Sequence, residues 1–484
     1  MLLNRRLWII FPLLLAVLAC KLEAGAAGPP ASLTPRPSST HTVSPSVTPL
    51  PTGTPTATSS PSPTATASPS PSPTPTASLT LTPLPSSTPA LLTATPTPTQ
   101  LPLALQMEVF EELWKTVNEE YLYADFNGLD WNAVHEEYRQ RIEAGLSNLD
   151  FYTAMADMIY SLGDDHSQFH TPEQMAVIDA KYAGELDYVG IGVIISAVPE
   201  RQRAVILGVF PGSPAEKAGL QIHDSILTVD GQPILDAEGF LTTILRGPEG
   251  TTVSVEMQRP GEAPRTVQVS RQRISGSVPV PSMVLTTPGG KRVGYILVST
   301  FMDSTVDDQV GAALEAMTAK GPLDGMIIDN RINPGGYQDV FVGTLRYFLS
   351  GVAGHFINRQ RESTLDLGKA KDINGSQTVP MVVMVGPDTV SFGEISSGNL
   401  QDTGRAYVIG ETTDGNVELL LEYNFSDGSS AWIAHDTFRP LNHPEANWEK
   451  TGIVPDLNVP AAWDLYTLET DPAVKAALDY FDNK

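Results

Sequence analysis

Cysteine and basic residues are scarce in this sequence of 484 residues. The single cysteine, Cys20, has no partner for an internal disulfide. Lysine and arginine number 30 against 55 aspartates and glutamates, so the formal net charge is −25. A chain this acidic is repelled by phosphate backbones, and we therefore expect no nucleic-acid partner.

Metal and nucleotide motifs are also missing. The sequence contains no H-E-x-x-H, and beyond Cys20 it has no cysteine to build a thiolate site. The stretch Gly190-Ile191-Gly192 lacks a third glycine, and no Walker lysine follows any glycine cluster. We expect neither a metal nor a cofactor.

One apolar run near the N-terminus, LWIIFPLLLAVLA, follows Arg5 and Arg6 and is too short for a comfortable membrane span. It ends in VLAC, which resembles a bacterial lipobox. Residues 1–20 are therefore predicted to be a signal peptide, with Cys20 as the lipidation site. The alternative is an ordinary signal peptide cleaved at residues 24–27. The lipobox predicts an exported lipoprotein, anchored to the membrane at the cell surface or in the periplasm.

Residues 21–103 consist mostly of Pro, Thr, Ser, Ala and Leu, in runs such as SPSPTATASPSPSPTPT. Such a composition cannot bury enough apolar surface to offset chain entropy, and its prolines favour polyproline II. We interpret this segment as a disordered, semi-rigid linker.

The folded part begins with helical periodicity in residues 104–182, where three amphipathic stretches predict a compact helical unit. This unit contains the segment LGDDHSQFHTPEQ, in which Gly163 and two aspartates break the helical pattern just before His166.

Residues 183–275 change to short β-branched runs separated by turns. The order of a Gly-x-Gly loop, PGSPAEKAGL and HDSILTVDG resembles a PDZ domain, with a second helix expected at 237–245. The resemblance implies that the backbone amides of Val189, Gly190, Ile191 and Gly192 receive a free C-terminal carboxylate. A small β-domain whose glycines serve only turns is the alternative.

In residues 276–484 apolar strand runs alternate with helices, which predicts an α/β layer with a largely parallel sheet. Sites in such sheets gather at the carboxyl ends of the strands. Two of these ends carry the loops RINPGG and GPDTVSFGE.

Ser391 lies in the second loop and has two interpretations. The spacing Ser391-x-x-Glu394 is that of a helix capping box, which is common. A serine at a helix start is also a usable nucleophile, because the amide of Phe392 is free and the helix dipole favours developing negative charge. The neighbouring Gly335-Gly336 turn can present a second oxyanion donor.

Five motifs in order resemble the S41 serine peptidases, which comprise the C-terminal processing peptidases and the tricorn-like proteases. They are LGDDHSQFHTPEQ, GYILVSTF, MIIDNRINPGG, VSFGEISSGNLQDTGRAYVIGETT and GIVPD, and the similarity covers roughly 105–460. The resemblance implies a multidomain α+β chain with a helical unit, a PDZ β-domain and a ClpP/crotonase-like α/β core. It implies that Ser391 is the nucleophile and that the amides of Gly335, Gly336 and Phe392 bind the oxyanion.

The sequence departs from the C-terminal processing pattern at one key position. Asn416 stands where that branch has its general-base lysine, and an amide cannot take a proton from serine. The tricorn-like branch uses a histidine that matches His166, so His166 is the predicted base, with His170 as its local rival. Candidates to orient its imidazole are Asp165, Glu411 and Asp402.

These observations predict an exported, lipid-anchored serine endopeptidase that forms an acyl-enzyme and acts on proteins or peptides, with a PDZ domain for substrate C-termini. The rival is a catalytically inactive PDZ-bearing scaffold in which Ser391 is only a helix cap. A weaker third possibility is a carrier of hydrophobic ligands, since the fold also occurs without proteolytic activity.

Overall fold

The computed structural model describes residues 100–164 and 166–484. The predicted signal peptide, Cys20 and the predicted linker up to residue 99 lie outside the described residues, as does Asp165. In the described part of the chain, the helices are all too short or too polar to span a bilayer.

The helical unit contains the three predicted helices. Asp130 caps the second helix through bonds to the backbone N–H groups of Asn132 and Ala133, and Ser147 caps the third. A fourth helix, introduced by the Thr171–Gln174 capping box, was not predicted as a separate element. The four helices are Leu103–Glu120, Trp131–Glu143, Asn148–Tyr160 and Pro172–Tyr182.

An antiparallel sheet of five strands supports this unit and was missed by the sequence analysis. Its residues Ala431, Ile433 and Ala434, with Phe425 just after the strand Leu419–Asn424, share one buried core with the helices. The helical unit is therefore packed on strands from residues 276–484. The strands are Gln168–His170, Val352–Ile357, Glu362–Asp366, Leu419–Asn424 and Ser430–Pro440.

Residues 183–275, which resemble a PDZ domain, have the predicted β-rich architecture. Their six-stranded sheet leaves Val193–Val198 at an edge, where it pairs only with Arg203–Val209 among the described strands. A separate pair of antiparallel strands, Leu186–Gly190 and Gln272–Gly276, joins the two ends of this segment. The strands of the larger sheet are Val193–Val198, Arg203–Val209, Ser225–Val229, Gln232–Pro233, Thr252–Gln258 and Arg265–Ser270. The domain also has a short α-helix, Pro214–Lys217, and a 3-10 turn, Pro199–Arg201.

The prediction of a helix at 237–245 was wrong, because this segment forms turns. The Asp236 carboxylate accepts hydrogen bonds from the backbone N–H groups of Glu238 and Phe240, and Gly239 has φ +92°. An Asx-type turn of this kind satisfies the backbone locally and stops a helix from forming.

The predicted, largely parallel sheet of residues 276–484 is confirmed. Five of its six strands run parallel, and Ser282–Thr286 joins one edge antiparallel. The strands, in sheet order, are Ser282–Thr286, Arg292–Leu297, Gly325–Asp329, Met381–Val385, Tyr407–Gly410 and Leu457–Asn458. The helices are Val306–Thr318, Gln338–Leu345, Phe392–Asp402, Trp448–Thr451 and Pro472–Asp482.

Two adjacent strands position the site. Gly325–Asp329 and Met381–Val385 pair in parallel, so the loops that follow them emerge at the same edge of the sheet. These are the RINPGG loop and the GPDTVSFGE loop. The fold therefore brings the Gly335-Gly336 turn to the start of the Phe392 helix.

Candidate active site

Ser391 occupies a backbone conformation that side-chain-bearing residues rarely adopt. It has φ 54° and ψ −125° and immediately precedes the helix Phe392–Asp402. Such a conformation costs a non-glycine residue about 1–3 kcal/mol and persists only where the surroundings enforce it. It turns the chain sharply from loop to helix and places Ser391 at the tip of that turn.

Backbone contacts enforce this turn. The N–H of Ser391 donates to the carbonyl of Asn416 at 2.8 Å and to Oε2 of Glu394 at 3.2 Å. Glu394 is fully buried and also accepts from the N–H groups of Gly415 and Asn416, each at 2.8 Å. The carboxylate thus fastens the segment 413–416 to the start of the helix. Burial raises the pKa of Glu394 to about 7, although these donors oppose the rise.

Gly335 lies directly against the serine. A methyl group at its Cα would come within 2.8 Å of Cβ of Ser391 and 3.0 Å of the backbone nitrogen of Phe392, and its φ is +89°. Only glycine suits both the space and the conformation. The predicted meeting of the two loops is therefore present in the structure.

The predicted oxyanion donors differ in their availability. The N–H of Gly335 donates to Oδ1 of Asn333 at 2.9 Å, so it is engaged in this conformation. Within residues 100–164 and 166–484 the N–H of Gly336 makes no hydrogen bond. Phe392 is the first residue of its helix, so its N–H has no carbonyl partner within the helix.

His166 is buried against two glutamates. Its Nε2 lies 3.3 Å from Oε1 of Glu449. Burial lowers the pKa of His166, but the hydrogen bond and charge of Glu449, with the charges of Glu418 and Asp164, outweigh burial and raise it. The imidazolium form is therefore stabilised in place.

Glu418 completes this cluster and was not identified from the sequence. It is 3% exposed, and its Oε1 accepts a short hydrogen bond from the hydroxyl of Tyr123. Burial raises the pKa of Glu418 to about 7, with His166 opposing and Glu449 adding to the rise. One ligand atom from each of His166, Glu418 and Glu449 lies within 4.8 Å of the others.

Among the described residues, the partner of His166 is neither Asp402 nor Glu411, two of the three predicted orienting residues. Asp402 instead accepts from the backbone N–H of Asn442 and pairs with His443 at 2.6 Å. Glu411 forms no ion pair with His166 among the described residues, and Asp165 lies outside them. The partner is Glu449, a residue in no motif that the sequence analysis matched, which is why it was missed.

Glu449 also links the histidine to the serine loop. Its Oε2 accepts from the N–H of Val417 at 2.8 Å, and the preceding residue, Asn416, holds the N–H of Ser391. Among the hydrogen bonds and ion pairs of the described residues, none joins His166 to Ser391 directly. The backbone of Ser391 and, through Glu449, the side chain of His166 are thus linked to successive residues, Asn416 and Val417.

The other buried histidines have separate partners. His170 packs edge-on against Trp432, and burial lowers its pKa to about 4. In the PDZ domain, Nδ1 of His223 lies 2.8 Å from the carbonyl of Trp463. His435 pairs with Asp436 at 2.6 Å. None of these partners belongs to the segment 413–417, to which His166 is linked through Glu449.

The predicted carboxylate loop of the PDZ domain lies at the end of a strand. Val189 and Gly190 belong to Leu186–Gly190, and Ile191 is buried in the core of the β-domain. Gly192 has φ +84°, and a methyl group there would come within 2.4 Å of Cβ of Ser213. The carbonyls of Ile191 and Gly192 accept backbone hydrogen bonds from the Ala215 and Phe210 N–H groups. The loop is held beside the edge strand Val193–Val198.

Comparison with known proteins gives three family matches. Peptidase family S41 matches residues 292–459, the tricorn protease C1 domain matches 104–160, and the PDZ domain matches 189–270. The chain is 33% identical over 386 residues to the carboxyl-terminal-processing protease of Synechocystis sp., which covers 77% of this chain and 86% of that protein.

Two further similarities extend over more than two thirds of the chain. The chloroplastic C-terminal processing peptidase of Tetradesmus obliquus is 27% identical, covering 72% of this chain and 76% of its own length. The solved structure of a photosystem II D1 C-terminal processing protease has a TM-score of 0.52 at 27% identity, and covers 78% of this chain and 97% of its own.

Proposed function

Because this chain belongs to the S41 family of serine peptidases, we propose that it cleaves peptide bonds with Ser391 as nucleophile and His166 as general base. The observation that carries the proposal is the enforced turn at Ser391. A strained non-glycine backbone held in place by buried contacts marks a functional position, whereas an ordinary helix cap adopts unstrained extended backbone.

The chemistry follows from this arrangement. The hydroxyl oxygen of Ser391 attacks the scissile carbonyl while His166 takes its proton, and the tetrahedral intermediate then collapses to an acyl-enzyme. His166 donates this proton to the departing amine. Water then attacks the ester while His166 takes a proton from it, and the acid product and the free Ser391 hydroxyl are released. Since Nε2 of His166 faces Glu449, Nδ1 is the ring nitrogen that serves Ser391.

Glu449 acts as the positioning residue for this base. A carboxylate on one ring nitrogen fixes the tautomer, leaving a lone pair on the other nitrogen, and it stabilises the imidazolium that forms during attack. Asn416 needs no side-chain role in this scheme, because its backbone holds Ser391. The missing lysine is thus compatible with an active enzyme.

In this proposal the backbone N–H groups of Phe392 and Gly336 bind the oxyanion. Both N–H groups are without a partner in the described structure, and both lie in the two loops that meet at Ser391. The N–H of Gly335 joins them only if it leaves Oδ1 of Asn333. Removal of one such donor costs about 2.7–4 kcal/mol of transition-state stabilisation.

The substrates in this proposal are proteins or peptides with a free C-terminus. The relatives are named carboxyl-terminal-processing proteases, and the PDZ domain offers a glycine loop beside an edge strand to which a peptide can add. The acylation of Cys20 and the export of the chain complete the proposal, and they rest on the N-terminal segment alone, namely Arg5, Arg6, the apolar run and the VLAC motif.

The alternative is an inactive PDZ-bearing scaffold. Two observations favour it, namely Asn416 in the lysine position and the lack, in the described structure, of a bond between His166 and Ser391. It predicts peptide binding without covalent chemistry at the serine.

Labelling with an active-site-directed fluorophosphonate separates the two functions. We expect the full chain to be labelled, Ser391→Ala to be unlabelled, and His166→Ala to be labelled at least ~100-fold more slowly. His135→Ala is the matched control, because His135 also pairs with a glutamate, Glu111, but on the exposed surface. Absence of labelling in the wild type supports the scaffold, and unchanged labelling of His166→Ala assigns the base elsewhere.

A further inference from the structure

We propose that His166, Glu418 and Glu449 form a binding site for a zinc-like divalent cation, and that occupation of this site switches the peptidase off. The three side chains come from different parts of the fold, and one ligand atom of each lies within 4.8 Å of the other two. The site goes beyond the peptidase chemistry, while its inhibitory effect rests on the proposed role of His166.

The spacing of two of these groups matches zinc coordination. Nε2 of His166 and Oε1 of Glu449 are 3.3 Å apart. Two ligands at about 2.0–2.1 Å from one zinc ion in a tetrahedron are about 3.4 Å apart. One imidazole nitrogen with two carboxylate oxygens is a donor set for zinc, whereas calcium and magnesium take oxygen ligands alone.

Each carboxylate has one oxygen held and one oxygen left for the cluster. The N–H of Val417 donates to Oε2 of Glu449 at 2.8 Å, which leaves Oε1 toward His166. The Tyr123 hydroxyl donates to Oε1 of Glu418, and Oε2 of Glu418 is buried without a hydrogen-bond partner in the described structure. Outer donors of this kind orient metal ligands.

The charge of the cluster also calls for a cation. Glu418 is 3% exposed, and among the ion pairs of residues 100–164 and 166–484 neither Glu418 nor Glu449 pairs with lysine or arginine. An unpartnered carboxylate oxygen held out of water is unfavourable unless a proton or a cation satisfies it. A divalent ion would neutralise both carboxylates and satisfy Oε2 of Glu418.

Occupation of the site would remove the general base. A cation on Nε2 of His166 takes that lone pair, so the remaining ring proton of the neutral imidazole must sit on Nδ1. An Nδ1 that carries a proton cannot accept one from the hydroxyl of Ser391. Bound zinc therefore blocks the attack without touching the serine.

Zinc titration of the full chain tests the site, with isothermal calorimetry for affinity and the visible spectrum of bound Co²⁺ for coordination. A Ser391→Ala background prevents self-cleavage. We expect one Zn²⁺ per chain, with affinity weakened at least ~10-fold by Glu418→Gln and by Glu449→Gln. His135→Ala, which removes the exposed His135–Glu111 pair, should bind as before. Affinity unchanged in both glutamine variants overturns the site.

Inhibition is measured separately on the chain with Ser391 intact. Fluorophosphonate labelling should slow over the same zinc concentrations that fill the site and recover when EDTA is added. Zinc that binds at the cluster without slowing the labelling upholds the site and overturns His166 as the base. If Glu418→Gln fails to fold by circular dichroism, Glu449→Gln carries the test.

Discussion

The Cα of Gly335 lies so close to Ser391 that a methyl group on it would come within 2.8 Å of the Ser391 Cβ. The same methyl would meet the backbone nitrogen of Phe392 at 3.0 Å, and the φ of Gly335 is +89°. Three requirements therefore coincide at one residue, namely a left-handed backbone, clearance for the nucleophile and clearance for a predicted oxyanion donor.

Gly335→Ala should inactivate the enzyme while leaving it folded. The methyl group would push the two loops apart, and loss of an aligned oxyanion donor lowers kcat by about 10²–10³. Alanine at a positive φ also lowers the free energy of unfolding by on the order of 1 kcal/mol. Peptidase assays and denaturant unfolding measure the two effects.

Gly290→Ala is the matched control. Gly290 has a similar φ of +86°, but no atom lies within 4 Å of a methyl group added there. It should show the stability loss without the loss of activity. Equal activity loss in the two variants would mean that backbone strain, and not the contact with Ser391, explains the effect.

Asn416→Ala should keep most of the activity. The contacts of Asn416 to the site run through its backbone, since its carbonyl accepts from Ser391 and its N–H donates to Glu394. We expect fluorophosphonate labelling within about threefold of wild type, because alanine keeps both backbone groups. A drop of ~100-fold would show that the amide side chain takes part in catalysis.

The position of Ser391 at the start of a helix could be predicted from the sequence because its signals are local. An apolar strand, a Gly-Pro-Asp turn and the Ser391-x-x-Glu394 spacing lie in one short stretch. The parallel pairing of Gly325–Asp329 with Met381–Val385 then follows from the alternation of strands and helices, so the two loops could be expected to meet.

The surroundings of His166 could not be predicted in the same way. Glu449 lies in a short helix and Glu418 just before an antiparallel strand, and each reaches His166 only through tertiary packing. The five-stranded antiparallel sheet that supports them was missed, since its longest strand, Ser430–Pro440, is buried on both faces and shows no alternating pattern.

Glu449→Gln should lower kcat with little change in KM. Glutamine keeps the size of the side chain and an oxygen for the Val417 N–H, but it removes the charge that stabilises the His166 imidazolium. We expect kcat to fall by about 10²–10⁴, as for loss of the carboxylate in other serine peptidases. Steady-state kinetics on a peptide substrate measure both constants.

Glu362→Gln is the control for the loss of a glutamate beside a histidine. Glu362 lies 3.0 Å from His355 on the exposed Glu362–Asp366 strand, and among the described residues this ion pair does not include Ser391 or the segment 413–417. Its kinetics should match those of wild type. A rise in KM with unchanged kcat in Glu449→Gln would instead assign Glu449 to substrate binding.

Stability should fall with rising pH because of Glu394. Burial raises the pKa of Glu394 in the folded chain from 4.5 to about 7, so the folded state binds more protons than the unfolded state between these values. This contribution to the free energy of unfolding is therefore complete below pH 4.5 and is lost as the pH rises to about 7. The loss is on the order of 3 kcal/mol at most.

Glu394→Gln isolates this contribution, because glutamine does not titrate. The variant should lose stability by an amount that does not depend on pH. In the wild type the carboxylate accepts hydrogen bonds from donors that include the N–H groups of Gly415 and Asn416, and the amide nitrogen of glutamine cannot accept them. Thermal melting of both proteins from pH 4.5 to pH 8 gives the difference in stability. As the pH rises, the wild type should lose stability relative to the Glu394→Gln variant. A difference that stays constant, or that shifts in favour of the wild type, would mean that the surrounding donors hold the pKa of Glu394 at or below its ordinary value.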